Sequence, residues 1–317
     1  MKFVLKMAAV LLMGATCAAA VAQTYPTRPI RLLLGPSPDL LSRLVGQKLG
    51  ERWGQQVVID QRPAAGGIIA GETAAKSPPD GYTWLLSTAS FLTLAGLYPK
   101  LPYDFMRDFS PVTLMGTLPW VVVVNPAVPA KSLNEFVQLA RAKPGQFNYA
   151  NPGNGTSTHL VIEMFLNDAK IKVVNIPYKG VVASITDVLG GQAQMTFAIT
   201  QAGVPHVLSG KLRALAVSSA KRLSALPEVP TLAESGFKDM DVVGWNGVHV
   251  PTGTPRAIID QINKAINEVL LTRDMQERMA AAGFEPAATT VPEFDAYVKK
   301  DFARYTKVIR EAHIHVD

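Results

Sequence analysis

Cysteine is almost absent from this sequence, since Cys17 is the single one in 317 residues. A small domain held together by disulfides is therefore excluded. Charge is also sparse: Asp, Glu, Lys and Arg make up 18% of the chain, and the basic residues are scattered. Without a basic run or interleaved aromatic residues, we expect no nucleic-acid partner. What the chain does have is 48% hydrophobic residues and a length that allows two domains.

The N-terminus has the pattern of a secretion signal. Lys2 and Lys6 precede the apolar run 7–13, and Ala20-Val21-Ala22 provides a cleavage site. The run is shorter than the ~20 residues of a membrane span. Cleavage near Ala22 would lower the net charge of +6 by two and remove Cys17. An exported chain without disulfides fits the bacterial periplasm. A lipoprotein anchor on Cys17 is a minor alternative, because the residues before it match a lipobox poorly.

Short apolar runs alternate with helical patterns through the middle of the chain. Asp39 is a plausible N-cap for a helix whose leucines and valine recur at helical spacing over 40–49. This alternation predicts the α/β class, with parallel sheets flanked by helices. The strand candidates are Pro29–Leu34, Gln56–Asp60, Thr83–Ser87, Trp120–Val124, Phe147–Ala150, Lys172–Ile176, Gln194–Phe197 and Arg213–Ser218.

Helix boundaries are marked by capping patterns. Ser132 with Glu135, and Thr290 with Glu293, have the spacing of a capping box. Thr254-Pro255 is a suitable N-cap and first-turn pair. The C-terminal part is therefore mostly helical, with apolar stripes that fit core packing.

Two apolar strands that end in polar or Pro positions, Val121–Asn125 and Gly247–Pro251, could instead be paired crossovers between two lobes. One lobe would then comprise residues 23–120 and 249–317, after a signal peptide at 1–22, and the other would comprise 121–248.

Candidate chemistry is limited to anion-binding turns. The segment 151–158 is rich in Gly, Ser, Thr and Asn and precedes the apolar helical run Leu160–Leu166. Free N–H groups at a helix N-terminus bind carboxylates or phosphates. An ordinary helix cap by Thr156 or Ser157 explains the turn equally well. The turn 64–67 offers a similar choice, and the segment 177–180 follows a strand, where a crevice forms in doubly wound sheets.

No catalytic or metal-binding set is evident. Ser157 and His159 are two residues apart, so they do not face each other on a helix. His313 and His315 have no supporting ligands nearby in the sequence. We therefore expect a protein that is not an enzyme and that holds neither a metal nor a cofactor.

Ordered short motifs along nearly the whole mature chain resemble the Bug-type substrate-binding proteins of tripartite tricarboxylate transporters. Each motif is short, but their order and spacing together are specific. The motifs are Tyr25–Arg31, Gln61–Gly67, Asp80–Thr83, Leu97–Asp104, Asn148–Ala150, Gly153–Ser157, Pro177–Gly180, Gly210–Val217 and Leu226–Thr231.

The resemblance implies a periplasmic-binding-protein-like fold, with two doubly wound lobes that are joined by two crossover strands and close on a small carboxylate. The implied partners are that ligand and membrane permease subunits, and the implied state is a monomer. A sensor or scaffold subunit that signals to a membrane partner is the alternative function. The implied ligand-binding residues are Ser37, Asp39, Ser87, Thr88, Ala89, Asn154, Gly155, Thr156, Ser157, Tyr178, Lys179 and Gly180.

Three positions depart from the family pattern. The loop Gly35–Asp39 is about four residues shorter than usual, and its missing glycines would allow close backbone approach to a ligand. Ile68 replaces a frequent Asn. Ala198 replaces a frequent Asp, which removes a group that could pair with an amino substituent.

Overall fold

The computed structural model describes residues 25–36, 39–62, 67–98 and 100–311. The signal segment, Ser37, most of the turn 64–67 and the two terminal histidines lie outside the described residues. The described chain forms two mixed sheets with helices on their faces. Its strands are β1 (Ile30–Leu34), β2 (Val57–Gln61), β3 (Thr83–Thr88), β4 (Phe109–Leu118), β5 (Trp120–Val124), β6 (Asn148–Asn151), β7 (Val174–Pro177), β8 (Met195–Ile199), β9 (Arg213–Val217), β10 (Gly244–Pro251) and β11 (Glu285–Pro286).

The helices follow the strands in an alternating α/β order. They are α1 (Leu40–Trp53), α2 (Ile68–Ala75), α3 (Ala89–Leu97), α4 (Phe105–Asp108), α5 (Leu133–Ala142), α6 (Ser157–Ala169), α7 (Val181–Leu189), α8 (Thr200–Leu208), α9 (Arg256–Leu270), α10 (Arg273–Ala281) and α11 (Val291–Glu311). All eight predicted strand candidates are confirmed, with ends that shift by no more than a few residues.

Each sheet belongs to one lobe. The first has the strand order β11-β4-β10-β3-β1-β2, and the second has the order β7-β6-β8-β5-β9. β1 pairs in parallel with β2 and β3, and β6 pairs in parallel with β7 and β8. Strands β3 and β6 are each followed by a helix on the same lobe, so α3 and α6 both begin at the carboxyl end of a parallel strand.

The sheets are not wholly parallel, which corrects the expectation from the sequence. β10 runs antiparallel to β3 and β4, and β5 runs antiparallel to β8 and β9. The reversal arises where the chain changes lobe. Only Pro119 separates β4 in the first sheet from β5 in the second, and the chain returns to the first sheet through β10.

The last helix connects the two lobes. α11 packs against α3 and β4 of the first lobe and against α6 of the second. Its apolar residues Phe294, Val298 and Tyr305 belong to one continuous core with side chains of both sheets. The helical stripe predicted for this segment is therefore confirmed as core packing.

The capping predictions had mixed outcomes. The Thr290–Glu293 capping box is present, since Glu293 Oε2 accepts from the Thr290 N–H at 2.8 Å. In the other predicted box, Ser132 accepts from the Glu135 N–H, but the Glu135 carboxylate binds the N–H of Lys131. Thr254 does not cap α9. Its hydroxyl donates to the Pro251 carbonyl instead, and the helix begins one residue later than predicted, after Pro255.

The described helices include none with the length and apolar character that a bilayer span requires.

We expect Gly247→Ala to destabilise the fold by about 1–3 kcal/mol, the usual cost of overpacking. A methyl group on Gly247 would overlap the ring of Phe294, and Gly247 lies in the centre of β10. Gly50→Ala in α1 is the matched control. Its new methyl group would lie 3.6 Å from the nearest atom, so it should be neutral or slightly stabilising. Thermal denaturation of both variants measures the difference, and equal melting temperatures would contradict the packing argument.

Candidate functional site

A cleft of about 620 Å³ lies between the two lobes. The chain passes between the lobes at Pro119 and again before β10. Residues beside both places line the cleft, so the connection between the lobes forms part of its wall. The lining residues are Pro36, Thr88, Ala89, Ser90, Thr93, Leu94, Leu97, Tyr98, Leu118, Trp120, Pro152, Asn154, Gly155, Thr156, Ser157, Thr158, Gly180, Val181, Ile199, Gly244, Trp245, Asn246 and Phe284.

Three helices begin at this cleft. α3 starts after Thr88 and α7 starts after Gly180, and neither has a side-chain cap. α6 starts after Thr156. The N–H groups of a first helical turn have no acceptor within the helix, and the helix dipole places partial positive charge there. The cleft therefore collects three partly positive helix ends, contributed by both lobes.

The turn before α6 has both a helix cap and a hydroxyl that is available to a ligand, the two alternatives that the sequence left open. The Thr156 hydroxyl is a cap, because it accepts from the His159 N–H at 3.3 Å and donates to the Gly153 carbonyl at 2.8 Å. The Ser157 hydroxyl has no hydrogen-bond partner among the described residues. Ser157 is thus available to a ligand, whereas Thr156 holds the turn.

A buried histidine stabilises the same turn through a hydrogen bond. His159 is 6% exposed, and its Nδ1 accepts from the Gly155 N–H at 3.1 Å. Burial lowers the pKa of His159 to about 4, so the ring is neutral near pH 7 and can accept this bond. The Glu163 carboxylate lies 3.8 Å from His159 Nε2 and accepts from the Tyr149 hydroxyl at 2.5 Å. Burial raises the pKa of Glu163.

Two tryptophans form walls of the cleft, and both use their N–H groups inside the protein. Trp120 Nε1 donates to the Thr158 hydroxyl at 3.0 Å, and Trp245 Nε1 donates to the buried Asp301 carboxylate of α11 at 2.8 Å. The rings of Phe294 and Tyr297 pack edge-on against Trp245. These contacts fix the orientation of both indoles, which therefore offer a ligand only apolar surface.

Asn246 is a cleft residue that the sequence analysis missed. It lies on β10 opposite Thr88 of β3 and is 3% exposed. Its buried Nδ2 atom has no hydrogen-bond partner among the described residues. An unpaired buried donor costs free energy, and an acceptor brought to this amide would remove that cost. No motif marks it, because a single Asn in an apolar strand carries no spacing signal.

The structure brings most of the predicted site residues together. Seven line the cleft: Thr88, Ala89, Asn154, Gly155, Thr156, Ser157 and Gly180. Ser37 lies outside the described residues. Four other predicted residues do not line the cleft. Ser87 is buried with its hydroxyl 2.7 Å from His249 Nδ1, and Asp39 pairs with Arg43 in place of capping α1.

The other two lie on the loop before α7. Burial, together with the nearby Asp187 carboxylate, raises the pKa of Tyr178 to about 12. Lys179 is exposed and does not line the cleft. This loop therefore reaches the cleft only through Gly180. Ala198, one of the departures from the family pattern, is buried in the core of the second lobe.

The described cleft lining contains no Asp, Glu, Lys, Arg or His side chain. Within the described ranges, no three His, Cys, Asp or Glu side chains are grouped as metal ligands would be. The polar groups that the lining offers are hydroxyls, amides and backbone N–H groups. These neutral groups can bind an anion through hydrogen bonds and helix dipoles.

The lobes touch each other beside the cleft. The Thr93 hydroxyl of α3 lies 2.8 Å from the Gly155 carbonyl of the second lobe, and it also lies 2.9 Å from the Ser90 carbonyl. On the other flank, the Thr200 hydroxyl donates to the Gly283 carbonyl at 2.7 Å. Polar contacts of this kind can exchange with water when lobes separate.

The family match and the similar proteins agree on one family. The chain matches the family described as "Tripartite tricarboxylate transporter family receptor" over residues 41–314. The Bordetella pertussis protein BugT is 36% identical over 296 residues, which cover 92% of this chain and 91% of BugT. A UPF0065 protein from Agrobacterium vitis is 31% identical over 312 residues, which cover 95% of this chain and 90% of that protein.

Solved structures share the same two-lobed architecture. An R. palustris protein solved with adipate is 30% identical, with a TM-score of 0.82 over 92% of this chain and 99% of that chain. The periplasmic binding protein BugD is 30% identical, with a TM-score of 0.78 and the same coverage. A structure described as a periplasmic transporter is 32% identical, with a TM-score of 0.81 over 92% of this chain and all of that one.

Acid should destabilise the protein through His159. A histidine whose pKa is lower in the folded state contributes stability that is present above the unfolded pKa of 6.5 and is lost as the pH falls towards 4. His159→Gln keeps an acceptor for the Gly155 N–H but cannot take up a proton. We expect the variant to reduce the pH slope of the unfolding free energy by up to about 1.4 kcal/mol per pH unit in this window.

Urea unfolding at a series of pH values measures this slope. Taking the difference between the variant and the parent protein removes the contribution of the buried His249, which is present in both. Identical slopes would show that folding does not lower the pKa of His159.

Proposed function

The chain belongs to the tripartite tricarboxylate transporter family of receptors, and from this membership we propose that it is a periplasmic receptor that captures a small carboxylate between its two lobes for a transporter of that type. It would reach the periplasm through cleavage of its signal peptide near Ala22 and act there as a monomer. The lobes in this proposal are residues 23–120 with 249–317 and residues 121–248. The membrane permease subunits of the transporter would be its protein partners.

The unpaired amide of Asn246 at the convergence of three helix N-termini is the observation that carries the proposal. A carboxylate is an acceptor with two oxygens, and it can take hydrogen bonds from Asn246 Nδ2, from hydroxyls and from first-turn N–H groups together. The R. palustris relative solved with adipate supports this ligand class.

The proposed contacts come from both lobes. Thr88 and Ala89 contribute donors from the first lobe, and Asn246 contributes one from β10 of the first sheet. Ser157 and the first-turn N–H groups of α7 contribute donors from the second lobe, because the N–H of Gly180 already donates to the Pro152 carbonyl. Such a ligand gains all its contacts only when the lobes are together, so binding shifts the population towards the closed arrangement. A permease that recognises that arrangement would respond to loaded receptor.

The remaining predicted residues would act by holding the loops. Ser87 and Asp39 would stabilise the segments that lead into α3 and α1, and Tyr178, near the Asp187 carboxylate, would support the loop before α7. Ser37 and Lys179 stay in the proposed site as members of these loops.

We expect carboxylates to raise the melting temperature of residues 23–317, because a ligand that binds only the folded state stabilises it. Ser157→Ala and Asn246→Ala should each weaken binding by about 10- to 100-fold, the cost of one hydrogen bond to a charged group. Ser224→Ala, at an exposed position outside the cleft lining, is the matched control and should bind normally. Isothermal titration calorimetry measures the affinities.

A folded protein that no mono-, di- or tricarboxylate stabilises would contradict the proposal. Unchanged affinity in both cleft variants would place the ligand elsewhere. If an acid binds but deletion of the gene leaves its uptake intact, the sensor alternative gains support over the transport receptor.

A further inference from the structure

One face of α3 runs along the cleft and changes character along its length. Ser90, Leu94 and Leu97 are four and three residues apart, so they lie on the same side of the helix, and all three line the cleft. The first of them is polar and the other two are apolar. At 1.5 Å per residue, Ala89 and Leu97 are roughly 12 Å apart along the axis. The cleft therefore has a polar end and an apolar end along α3.

The polar end coincides with the unpaired donor. Asn246 is the strand partner of Thr88, immediately before the first turn of α3. The hydroxyls of Thr88, Ser90 and Ser157 have no hydrogen-bond partner among the described residues. These groups are enough to bind one carboxylate.

The rest of the described lining offers no charged group to a second carboxylate. Leu94, Leu97 and Tyr98 continue along α3, and the lining from other elements combines apolar side chains with neutral polar groups such as Asn154; the apolar side chains include Leu118, Trp120, Val181, Ile199, Trp245 and Phe284. The two indole N–H groups are already donated to Thr158 and Asp301. A second anionic group here would lose its hydration and find no charged partner in the described lining, which is unfavourable.

We infer that the ligand is a monocarboxylate with an extended apolar body, an alkyl chain or an arylalkyl group, and that it binds with its carboxylate at Asn246 and its body along the Leu94–Tyr98 side of α3. This inference rests on the proposed carboxylate-receptor function and narrows its substrate class. Removing apolar surface from water is the source of affinity for the body, and the neutral donors fix the head group.

Matched ligands test the inference directly. Octanoate and octanedioate have the same chain length and differ only in the second carboxylate. We expect octanoate to bind at least about 10-fold more tightly in calorimetry, and 4-phenylbutyrate to bind while malate and citrate do not, since each of these lacks an apolar body. Octanedioate binding as tightly as octanoate, or tighter, would overturn the inference and leave the receptor proposal standing. Failure of every acid to bind would instead contradict the receptor proposal.

A charge placed at the apolar end should reverse the preference. Leu97 is only partly buried, and Leu97→Lys would supply the missing partner for a second carboxylate. We expect this variant to bind octanedioate more tightly than octanoate. Leu208→Lys, at a position that is 69% exposed on α8 and outside the cleft lining, is the matched control and should keep the original preference. If Leu97→Lys fails to fold, Tyr98→Lys at the end of the same stripe replaces it. An unchanged preference in the folded variant would show that the body does not lie along α3.

Discussion

The short crossing between the two sheets is the constraint on which the cleft depends. Leu118 ends β4 in one lobe, Trp120 begins β5 in the other, and only Pro119 lies between them. Trp120 is held in this position by Ser218, which accepts from its N–H and donates to its carbonyl, each at 2.9 Å. Because the crossing is so short and so well bonded, the lobes must meet edge to edge. The carboxyl ends of β3 and β6, and the helices that follow them, then border the same space.

The second crossing between the lobes, at the start of β10, is stabilised by the C-terminal helix α11. Trp245 lies at the start of β10, and its indole N–H reaches the carboxylate of Asp301, which is 3% exposed. Burial raises the pKa of Asp301, and Arg304 lies near its other oxygen at 3.5 Å. A buried carboxylate costs free energy to desolvate, so its retention here fits a role in orienting Trp245 beside Asn246. The C-terminal helix thus helps to position Trp245, which forms part of the cleft wall.

Much of the fold follows from local sequence, and less of the site does. Strands such as Trp120–Val124 are continuous apolar runs, so their positions could be predicted from hydrophobicity alone. Their direction could not, because the antiparallel crossings depend on which lobe the chain enters next.

The turn at Thr156 could be predicted because Gly and hydroxyl residues are grouped before a helix. Asn246 was not visible, since its importance arises from burial opposite Thr88, which is about 160 residues away in the chain. Ser87 illustrates the converse. The family resemblance implied that it binds the ligand, but successive strand residues point to opposite sides, and its hydroxyl faces His249.

A cleft that uses neutral donors suits a receptor that must release what it binds. A lysine or arginine in the closing gap would lose its hydration each time the lobes met, and the cost would fall on the empty closed state as well as on the loaded one. Hydroxyls, amides and first-turn N–H groups lose less hydration, and the helix dipoles behind them are fixed before the ligand arrives. In the proposed binding mode, Asn246 would make the empty closed state unfavourable by one unpaired donor, a penalty that a bound carboxylate would remove. The difference between the empty and loaded closed states would then arise at the head group. The apolar side of α3 would add affinity without charge, so that ligand binding would control closure.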